Sequence, residues 1–136
     1  MDVLTKEQRS KLMAKVRRKH TKPEIIVRRT LHRLGMRFRL HRSDLPGTPD
    51  IVLPSRSLAI YVHGCFWHGH SCRAGRLPTT NHDLWVEKRR ANLERDARKA
   101  RELQAKGWQV VIVWECETKV IASLEERLRA ISTLGL

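Results

Sequence analysis

Residues 63–72, HGCFWHGHSC, constrain the fold of this 136-residue chain more than any other stretch. Three histidines, two cysteines and two adjacent aromatic residues occupy those ten positions. Zinc binds four thiolate or imidazole ligands tetrahedrally, and three cysteines with one histidine form a common closed structural site. Together with Cys116, at the end of a later apolar run, the stretch predicts a long loop that a metal ties to a strand.

The fourth ligand of such a site is left open by spacing alone. The three cysteines of the chain supply the sulfur atoms, whereas His63, His68 and His70 are all candidates for the imidazole. An odd number of cysteines favours metal binding or catalysis over a set of disulfides. Three unrelated buried cysteines are the plain alternative.

The charge of the chain is strongly basic and uneven. Lys and Arg number 28 against 14 Asp and Glu, which gives a formal net charge of +14. Residues 1–42 contain 14 of the basic residues and only three acidic ones. Such a clustered field predicts a nucleic acid as the partner, with a solvated basic face that has no dedicated partner as the alternative.

Length and hydropathy bound the class of protein. A chain of 136 residues with 40% hydrophobic residues predicts one domain with its own core. No window approaches 18 consecutive apolar residues, and residues 1–10 contain no apolar signal-peptide core. We therefore expect a soluble, intracellular protein with no membrane partner.

Helix signals come first along the chain. We predict a basic arm or short helix within residues 1–20 that binds DNA. Thr21 and Glu24 form a capping box that begins a helix over residues 21–35. Residues 36–42 alternate apolar and basic side chains, which predicts a half-exposed strand.

The remaining segments predict a sheet with helices on both faces. Residues 50–54 and 58–62 are short apolar runs joined by a tight turn, which predicts a buried hairpin. Residues 83–106 contain neither Gly nor Pro and predict one long helix, followed by a strand over 108–115 and a closing helix within 118–133. This order predicts an α/β domain with a mixed central sheet.

A second candidate metal site begins at Asp50, which opens the predicted hairpin. A carboxylate at a sheet edge is costly to bury unless it is paired or holds a cation, and Mg²⁺ is the usual cation beside phosphate. With Glu24 on the preceding helix, this setting resembles the core of PD-(D/E)xK nucleases, also called the restriction-endonuclease-like fold. The second half of that signature is absent, because residues 61–63, Tyr-Val-His, stand where Glu-x-Lys is expected.

Four segments make a closer resemblance: PGTPDIV, IYVHGCFWHGHSC, PTTNHDLWVEKRRANLERD and GWQVVIVWEC. Together they look like the very short patch repair (Vsr) DNA mismatch endonucleases, over nearly the whole chain from Arg9 to about Leu128. The resemblance implies a single endonuclease domain over residues 1–136 with a restriction-endonuclease-like core. It also implies a Mg²⁺-dependent bacterial enzyme, cytoplasmic and active at the nucleoid, that nicks one strand beside a T:G mismatch left by deamination of 5-methylcytosine.

The resemblance further implies roles for individual residues. Asp50 would hold Mg²⁺ with its carboxylate and Val62 with its main-chain carbonyl. His68 would be the general base that takes a proton from the attacking water, as a neutral imidazole can near pH 7. His63 would contact the scissile phosphate or its waters and partly replace the missing Lys, and Glu24 would position the metal-bound water.

For the structural metal, the resemblance implies Zn²⁺ on Cys65, His70, Cys72 and Cys116. It would be bound permanently and would contribute to folding rather than to catalysis.

Recognition of DNA falls to a third group of residues. Phe66 and Trp67 lie between metal ligands and could enter DNA as a wedge, which costs least at a weakened base pair. The resemblance implies this role, with Met13 of the basic arm entering from the other groove, whereas packing of Trp67 in the core is the alternative. Lys88 and Asn92 share one face of the long helix and are candidates for contacts to bases.

Two other functions compete with a mismatch endonuclease. One is a zinc-stabilised DNA-binding module without catalysis, for which Asp50 and His68 would have no use. The other is a related metal nuclease that cuts branched junctions, where the aromatic pair would have no step to enter. We expect a monomer, and we place the three other tryptophans in the core or at its margin: Trp85, Trp108 and Trp114.

Overall fold

The computed structural model of this protein describes residues 21–132. The predicted DNA-binding arm over residues 1–20, including Met13, lies outside the described residues. Among the helices within residues 21–132, none is long and apolar enough to cross a membrane.

The first described helix, α1 (Lys22–Arg33), begins where its sequence predicts. Thr21 is the N-cap, and its hydroxyl oxygen accepts a hydrogen bond from the backbone N–H of Glu24 at 3.4 Å. Gly35, with φ of +76°, follows the helix in the left-handed conformation that glycine adopts without strain. These local signals fix the start of α1 and therefore the place of the buried Glu24 in its first turn.

Four strands form one sheet in the order β1-β2-β3-β4: Arg39–Leu40, Ile51–Leu53, Leu58–His63 and Gln109–Trp114. The first three are antiparallel neighbours, whereas β3 and β4 run parallel. The predicted mixed sheet is therefore confirmed. Parallel pairing of β3 and β4 requires a crossover, which the long helix between them supplies.

The predicted strand over residues 36–42 is longer than the observed β1. His41 has a φ of +45°, and this left-handed residue takes the chain out of the sheet after Leu40. Met36 and Phe38 still pack against the core, so the apolar alternation correctly indicated which side chains turn inward.

The predicted hairpin of β2 and β3 is present. A short 3-10 helix, Pro54–Arg56, joins the strands, and the register pairs Ile51 with Ile60. This register leaves Asp50 just before the start of β2, while β3 continues to His63.

Two further helices complete the fold. The crossover helix α2 (His82–Ala105) closely matches the predicted long helix, and Gly107 with φ of +90° follows it. The last helix, α3 (Ile121–Ser132), begins before Ser123, so the possible capping signal at that residue does not mark its start.

The sheet is covered on both faces, as the order of the predicted helices and strands indicates. Helices α1 and α3 pack on one face, and α2 packs on the other. The first cluster is formed by Val27, Leu31, Ile51, Leu53, Leu58, Ile60, Val113, Leu124, Leu128 and Ile131. The second is formed by Leu45, Val52, Ala59, Tyr61 and Leu103. Truncating a fully buried leucine of these clusters to alanine is expected to cost about 2–5 kcal/mol.

Candidate active site

Asp50 is fixed by two backbone contacts at the end of the hairpin. Its carbonyl oxygen accepts the N–H of His41 at 3.0 Å, which links it to the end of β1. Its side-chain Oδ2 accepts the N–H of Val62 at 2.8 Å, which links it to β3. The carboxylate is therefore oriented by the sheet itself.

The electrostatics of Asp50 favour a bound cation. Burial raises the pKa of its carboxyl to about 6, and the neighbouring Glu24 carboxylate acts in the same direction. The N–H of Val62 and the charges of His41 and His68 only partly oppose this rise in pKa. A divalent cation would stabilise the carboxylate that burial disfavours.

The carbonyl of Val62 faces the same side as its N–H. In an antiparallel ladder a residue exchanges its N–H and its C=O with the same neighbouring strand. Continuing the register of β2 and β3 places Pro49 opposite Val62, and proline has no N–H to offer that carbonyl. The chemistry and placement of this oxygen fit a second ligand beside the carboxylate of Asp50.

Glu24, His41 and Asp50 form a group whose candidate ligand atoms all lie within 4.8 Å of one another. Glu24 is only 2% exposed, and its two oxygens are 3.0 Å from His41 Nε2 and from a guanidinium nitrogen of Arg28. Two carboxylates and an imidazole, held together under partial burial, suit a divalent cation. The structure thus places Glu24, expected to position a metal-bound water, beside Asp50, the expected carboxylate ligand of Mg²⁺.

A second group joins the loop after β3 to helix α2. The rings of His63 and His68 stack with centroids 3.7 Å apart and planes inclined by 10°. His68 Nδ1 lies 2.7 Å from Oδ2 of Asp96, which is on α2. An ionised carboxylate can only accept hydrogen bonds, so Asp96 keeps the proton on Nδ1 and leaves Nε2 of His68 as the basic nitrogen.

Burial and neighbouring charges shift the pKa values of His63 and Asp96. Burial and the charge of His68 lower the pKa of His63 to about 4, so His63 is neutral at physiological pH. Its Nδ1 is buried and has no hydrogen-bond partner among the described residues. Burial tends to raise the pKa of Asp96, but the hydrogen bond from His68 and the nearby cationic groups lower it overall.

A third group brings together Cys65, His70, Cys72 and Cys116, with ligand atoms within 4.8 Å of one another. The first three come from the loop after β3, and Cys116 lies in the 3-10 helix Glu115–Lys119 after β4. Three sulfurs and one imidazole nitrogen suit tetrahedral Zn²⁺. Of the three histidines that spacing left open, His70 is the one beside the cysteines, since His63 and His68 belong to the group with Asp96.

The loop is closely packed around this cysteine cluster. The pKa of the Cys72 thiol is lowered to about 6, chiefly by its hydrogen bond with His70, whereas burial raises the pKa of the Cys65 thiol to about 12. A Cβ on Gly75 would lie 1.9 Å from the carbonyl oxygen of His70, so only glycine fits there. Trp114 stacks on the ring of His70 with centroids 4.3 Å apart.

Phe66 and Trp67 are part of a three-ring cluster. Their centroids are 5.1 Å apart, and Trp85 of α2 lies 5.3 Å from Phe66 and 6.4 Å from Trp67. Trp67 is 39% exposed and lines a cavity of about 300 Å³ beside α2. Trp85, expected in the core or at its margin, is half-buried and packs against this exposed pair rather than against either core cluster.

Lys88 and Asn92 line the same cavity. The ammonium of Lys88 lies 5.2 Å from the ring centroid of Trp85, and the amide nitrogen of Asn92 donates to the carbonyl of Trp67. Trp108 packs against the second core cluster, whereas Trp114 lies between His63 and His70.

Sequence reasoning missed His41, Arg28 and Asp96. The signal for Asp96 was present, because it follows Asn92 by four residues on the helix face already assigned to the site. His41 gave no comparable signal, since its role depends on a left-handed backbone at the end of β1.

Known protein sequences include relatives that align with nearly the whole chain. The family described as "DNA mismatch endonuclease Vsr" matches residues 1–74. The "Type II nicking enzyme V.XorIIP" of Xanthomonas oryzae pv. oryzae is 57% identical over 130 residues, which cover 96% of each chain. The "DNA mismatch endonuclease Vsr" of Escherichia coli (strain K12) is 42% identical over 115 residues, covering 85% of this chain and 74% of the relative.

Among solved structures, the "Homing Endonuclease I-Bth0305I Catalytic Domain" superposes with a TM-score of 0.58. The match covers 85% of this chain and 98% of that domain at 21% sequence identity. At this identity the likeness shows the fold alone, and it confirms the expected nuclease architecture of a mixed sheet flanked by helices.

Proposed function

Because the chain belongs to the Vsr family of DNA endonucleases, we propose that it nicks one strand of duplex DNA beside a T:G mismatch, with Mg²⁺ as cofactor. The observation that carries the proposal is the oriented imidazole of His68, 2.7 Å from Asp96, close enough to Asp50 for its charge to lower the pKa of that carboxyl. A general base and a cation-binding carboxylate thus lie within one small region.

His68 is the general base in this proposal. Its Nε2 takes the proton of the attacking water, and the imidazolium that forms is stabilised by Asp96 at Nδ1. Asp96 is therefore a positioning residue that acts through His68. Since the two residues come from a loop and from α2, the base is in place only when both are packed together.

His63 approaches the phosphate as a neutral group. Its stacking on His68 fixes its ring, and its low pKa of about 4 keeps it uncharged at physiological pH. In this proposal the imidazole of His63 contacts a phosphate oxygen or a water beside it. This contact takes part of the role of the lysine that the sequence lacks at residue 63.

Asp50 and the carbonyl of Val62 would hold the cation, and Glu24 would orient a water molecule beside it. When bound, Mg²⁺ supplies the positive charge that the phosphate oxygens need as negative charge builds up on them. Glu24 is held on both of its oxygens, by His41 and by Arg28, so its position does not depend on the metal alone.

Zn²⁺ on Cys65, His70, Cys72 and Cys116 is proposed as a structural ion. It closes the loop that carries His68, Phe66 and Trp67 onto the end of β4. The fit of the ligand atoms, within 4.8 Å of one another, supports this assignment.

Recognition of the mismatch is assigned to the aromatic wedge of Phe66 and Trp67, with Met13 entering from the other groove. Apolar side chains that enter between base steps unstack them, and a mispaired step resists this least. The exposure of Trp67 and the adjoining cavity lined by Lys88 and Asn92 support a nucleic-acid surface there. The net charge of +14 supports affinity for the backbone.

We propose that the protein acts as a monomer with one endonuclease domain over residues 1–136. The arm over residues 1–20 contributes to DNA binding in this proposal. We also propose that it works in the bacterial cytoplasm, where the nucleoid offers its substrate. The inactive DNA-binding module considered from the sequence is not supported, since the family consists of endonucleases.

A strand-specific nicking assay tests this function. Zinc-replete protein is incubated with end-labelled duplexes that carry a T:G mismatch or the matched C:G pair, with and without Mg²⁺. We expect a nick in the T-containing strand of the mismatched duplex only, and only with Mg²⁺. Cleavage of matched duplex at the same rate, or preferential cleavage of a branched junction, would overturn the assignment of substrate.

A further inference from the structure

Two side chains of α2 hold the backbone of the aromatic wedge. A guanidinium nitrogen of Arg89 donates to the carbonyl oxygen of Phe66 at 3.0 Å, and the amide nitrogen of Asn92 donates to the carbonyl oxygen of Trp67 at 2.9 Å. The donors are three residues apart on α2, so they lie on one face of the helix. Consecutive carbonyls of the loop are thus held by consecutive positions on that face.

Arg89 is packed into the loop along its length. A Cβ on Gly69, whose φ is +69°, would lie 2.9 Å from Cδ of Arg89 and 3.2 Å from its Cγ and Nε. The loop therefore approaches the side chain of Arg89 at a glycine, where no side chain of the loop is in the way. The Nε of Arg89 is buried without a hydrogen-bond partner among the described residues, which is unfavourable for a polar donor.

Asn92 is engaged at both ends of its amide. Its nitrogen donates to Trp67, and its Oδ1 accepts from a guanidinium nitrogen of Arg95. Neither end is directed at a base in this arrangement, because both are bonded within the protein. The amide thus has a use that does not involve reading the DNA sequence.

We propose that Arg89 and Asn92 are positioning residues that set the Phe66–Trp67 wedge before it meets DNA. The inference rests on the proposed function of these rings as a wedge. A loop that is already ordered does not lose conformational entropy on binding, so the energy of insertion goes into opening the base step. The residues then contribute to preference for mismatched DNA without contacting a base.

A matched set of variants tests this role. Arg89→Leu removes the donor to Phe66 and keeps an apolar stem, whereas Asn92→Asp places a carboxylate oxygen against the carbonyl of Trp67. Arg90→Leu is the control, because the side chain of Arg90 donates hydrogen bonds to the carboxylates of Glu87 and Glu94, which are both on its own helix. All three substitutions lower the net charge by one, so a general loss of DNA affinity is common to them.

The readouts are binding preference and base unstacking, both measured in an Asp50→Asn background that prevents cleavage. Preference is the ratio of Kd for matched and T:G duplexes, and unstacking is the fluorescence rise of 2-aminopurine placed beside the mismatch. We expect Arg89→Leu and Asn92→Asp each to lower the preference about fivefold and to reduce the fluorescence rise, as loss of one hydrogen bond predicts. Arg90→Leu should change neither.

Gly69 offers an independent check through a double-mutant cycle. Gly69→Ala forces a side chain against Arg89, and it should lower the preference in the wild-type protein more than in Arg89→Leu, where the space is less crowded. Equal losses in the two backgrounds would show that Gly69 does not act through Arg89.

Failure of this inference is distinguishable from failure of the proposed function. If Arg89→Leu and Asn92→Asp match Arg90→Leu in both readouts while Phe66→Ala lowers the preference, the wedge stands and the positioning role is overturned. If Phe66→Ala also keeps full preference, the wedge itself is overturned. A change in which mismatch is preferred, confined to Asn92→Asp, would make Asn92 a base-reading residue and overturn its positioning role.

Discussion

The carboxylate edge of the molecule and its aromatic loop are adjacent, yet they are held in different ways. The carboxylate edge (Glu24, His41, Asp50 and Val62) lies on α1 and on strand ends, where backbone ladders set each position. The aromatic loop (residues 64–81) has no strand or α-helix, and side-chain bonds and the cysteine cluster fix its course. The difference teaches that the proposed cation site is built on regular backbone, whereas the proposed wedge and general base lie on a loop that needs its own supports.

Removing the carboxylate of Asp50 should abolish nicking and leave the structure of the aromatic loop unchanged. We expect Asp50→Asn to lower the nicking rate about 10³-fold or more, because the charge that binds Mg²⁺ is lost. Mismatch preference in a binding assay should persist, since Phe66 and Trp67 are untouched. A variant that loses binding preference together with nicking would show that the two regions are not separable.

Removing the fourth ligand of the cysteine cluster should do the reverse. We expect Cys116→Ser to reduce zinc content, to lower the free energy of unfolding by about 3 kcal/mol, and to abolish mismatch preference as the loop loses its closure. Metal analysis, chemical denaturation and the binding assay measure these three effects. Ser71→Ala, at an exposed residue of the same loop, is the control and should change none of them.

The pH dependence of the free energy of unfolding should reveal the titration of Asp50 on the carboxylate edge. The folded pKa of Asp50, about 6, is above the ordinary value of 3.8, so folding favours the protonated carboxyl. This contribution is nearly complete at about pH 4 and is lost as pH rises through 6, a change of about 3 kcal/mol. Without added Mg²⁺, denaturation should therefore show wild-type protein losing stability relative to Asp50→Asn between pH 4 and 7. Parallel pH profiles for the two proteins would contradict the raised pKa.

The smallest expected effect concerns the contact between the aromatic loop and α2. Asp96→Asn keeps the shape of the side chain but removes the charge that stabilises the imidazolium of His68. We expect kcat to fall about tenfold with KM nearly unchanged, a part of what general-base catalysis contributes. Glu94→Gln, exposed on the same helix, serves as the control in single-turnover nicking. A rise in KM with constant kcat would assign Asp96 to DNA binding instead.

Much of the fold follows from local signals in the sequence. Capping at Thr21, glycines after α1 and α2, and apolar alternation in the hairpin each act over a few residues, and each element lies close to where it is predicted. Candidate metal ligands close together in residues 63–72, with one cysteine far along the chain, likewise indicated the cysteine cluster. The structure brings Cys65, His70, Cys72 and Cys116 together.

The missed residues depend on contacts between distant parts of the chain. His68 and Asp96 are 28 residues apart, and they meet only because α2 packs beside the loop after β3. Trp85 was expected in the core or at its margin, and its contact with the ring of Phe66 was not foreseen. No local pattern fixes the rotation of a helix whose single buried residue in its described part is Leu103.

The order of the four residues along the chain determines when during folding the cysteine cluster can form. Cys65, His70 and Cys72 leave the ribosome ahead of the 24-residue helix α2, whereas Cys116 emerges only after β4. Parallel pairing across so long a connection is among the slow events of folding. A complete ligand set therefore exists only in molecules whose crossover is finished, and an ion captured there would lock the newly made enzyme in its final topology.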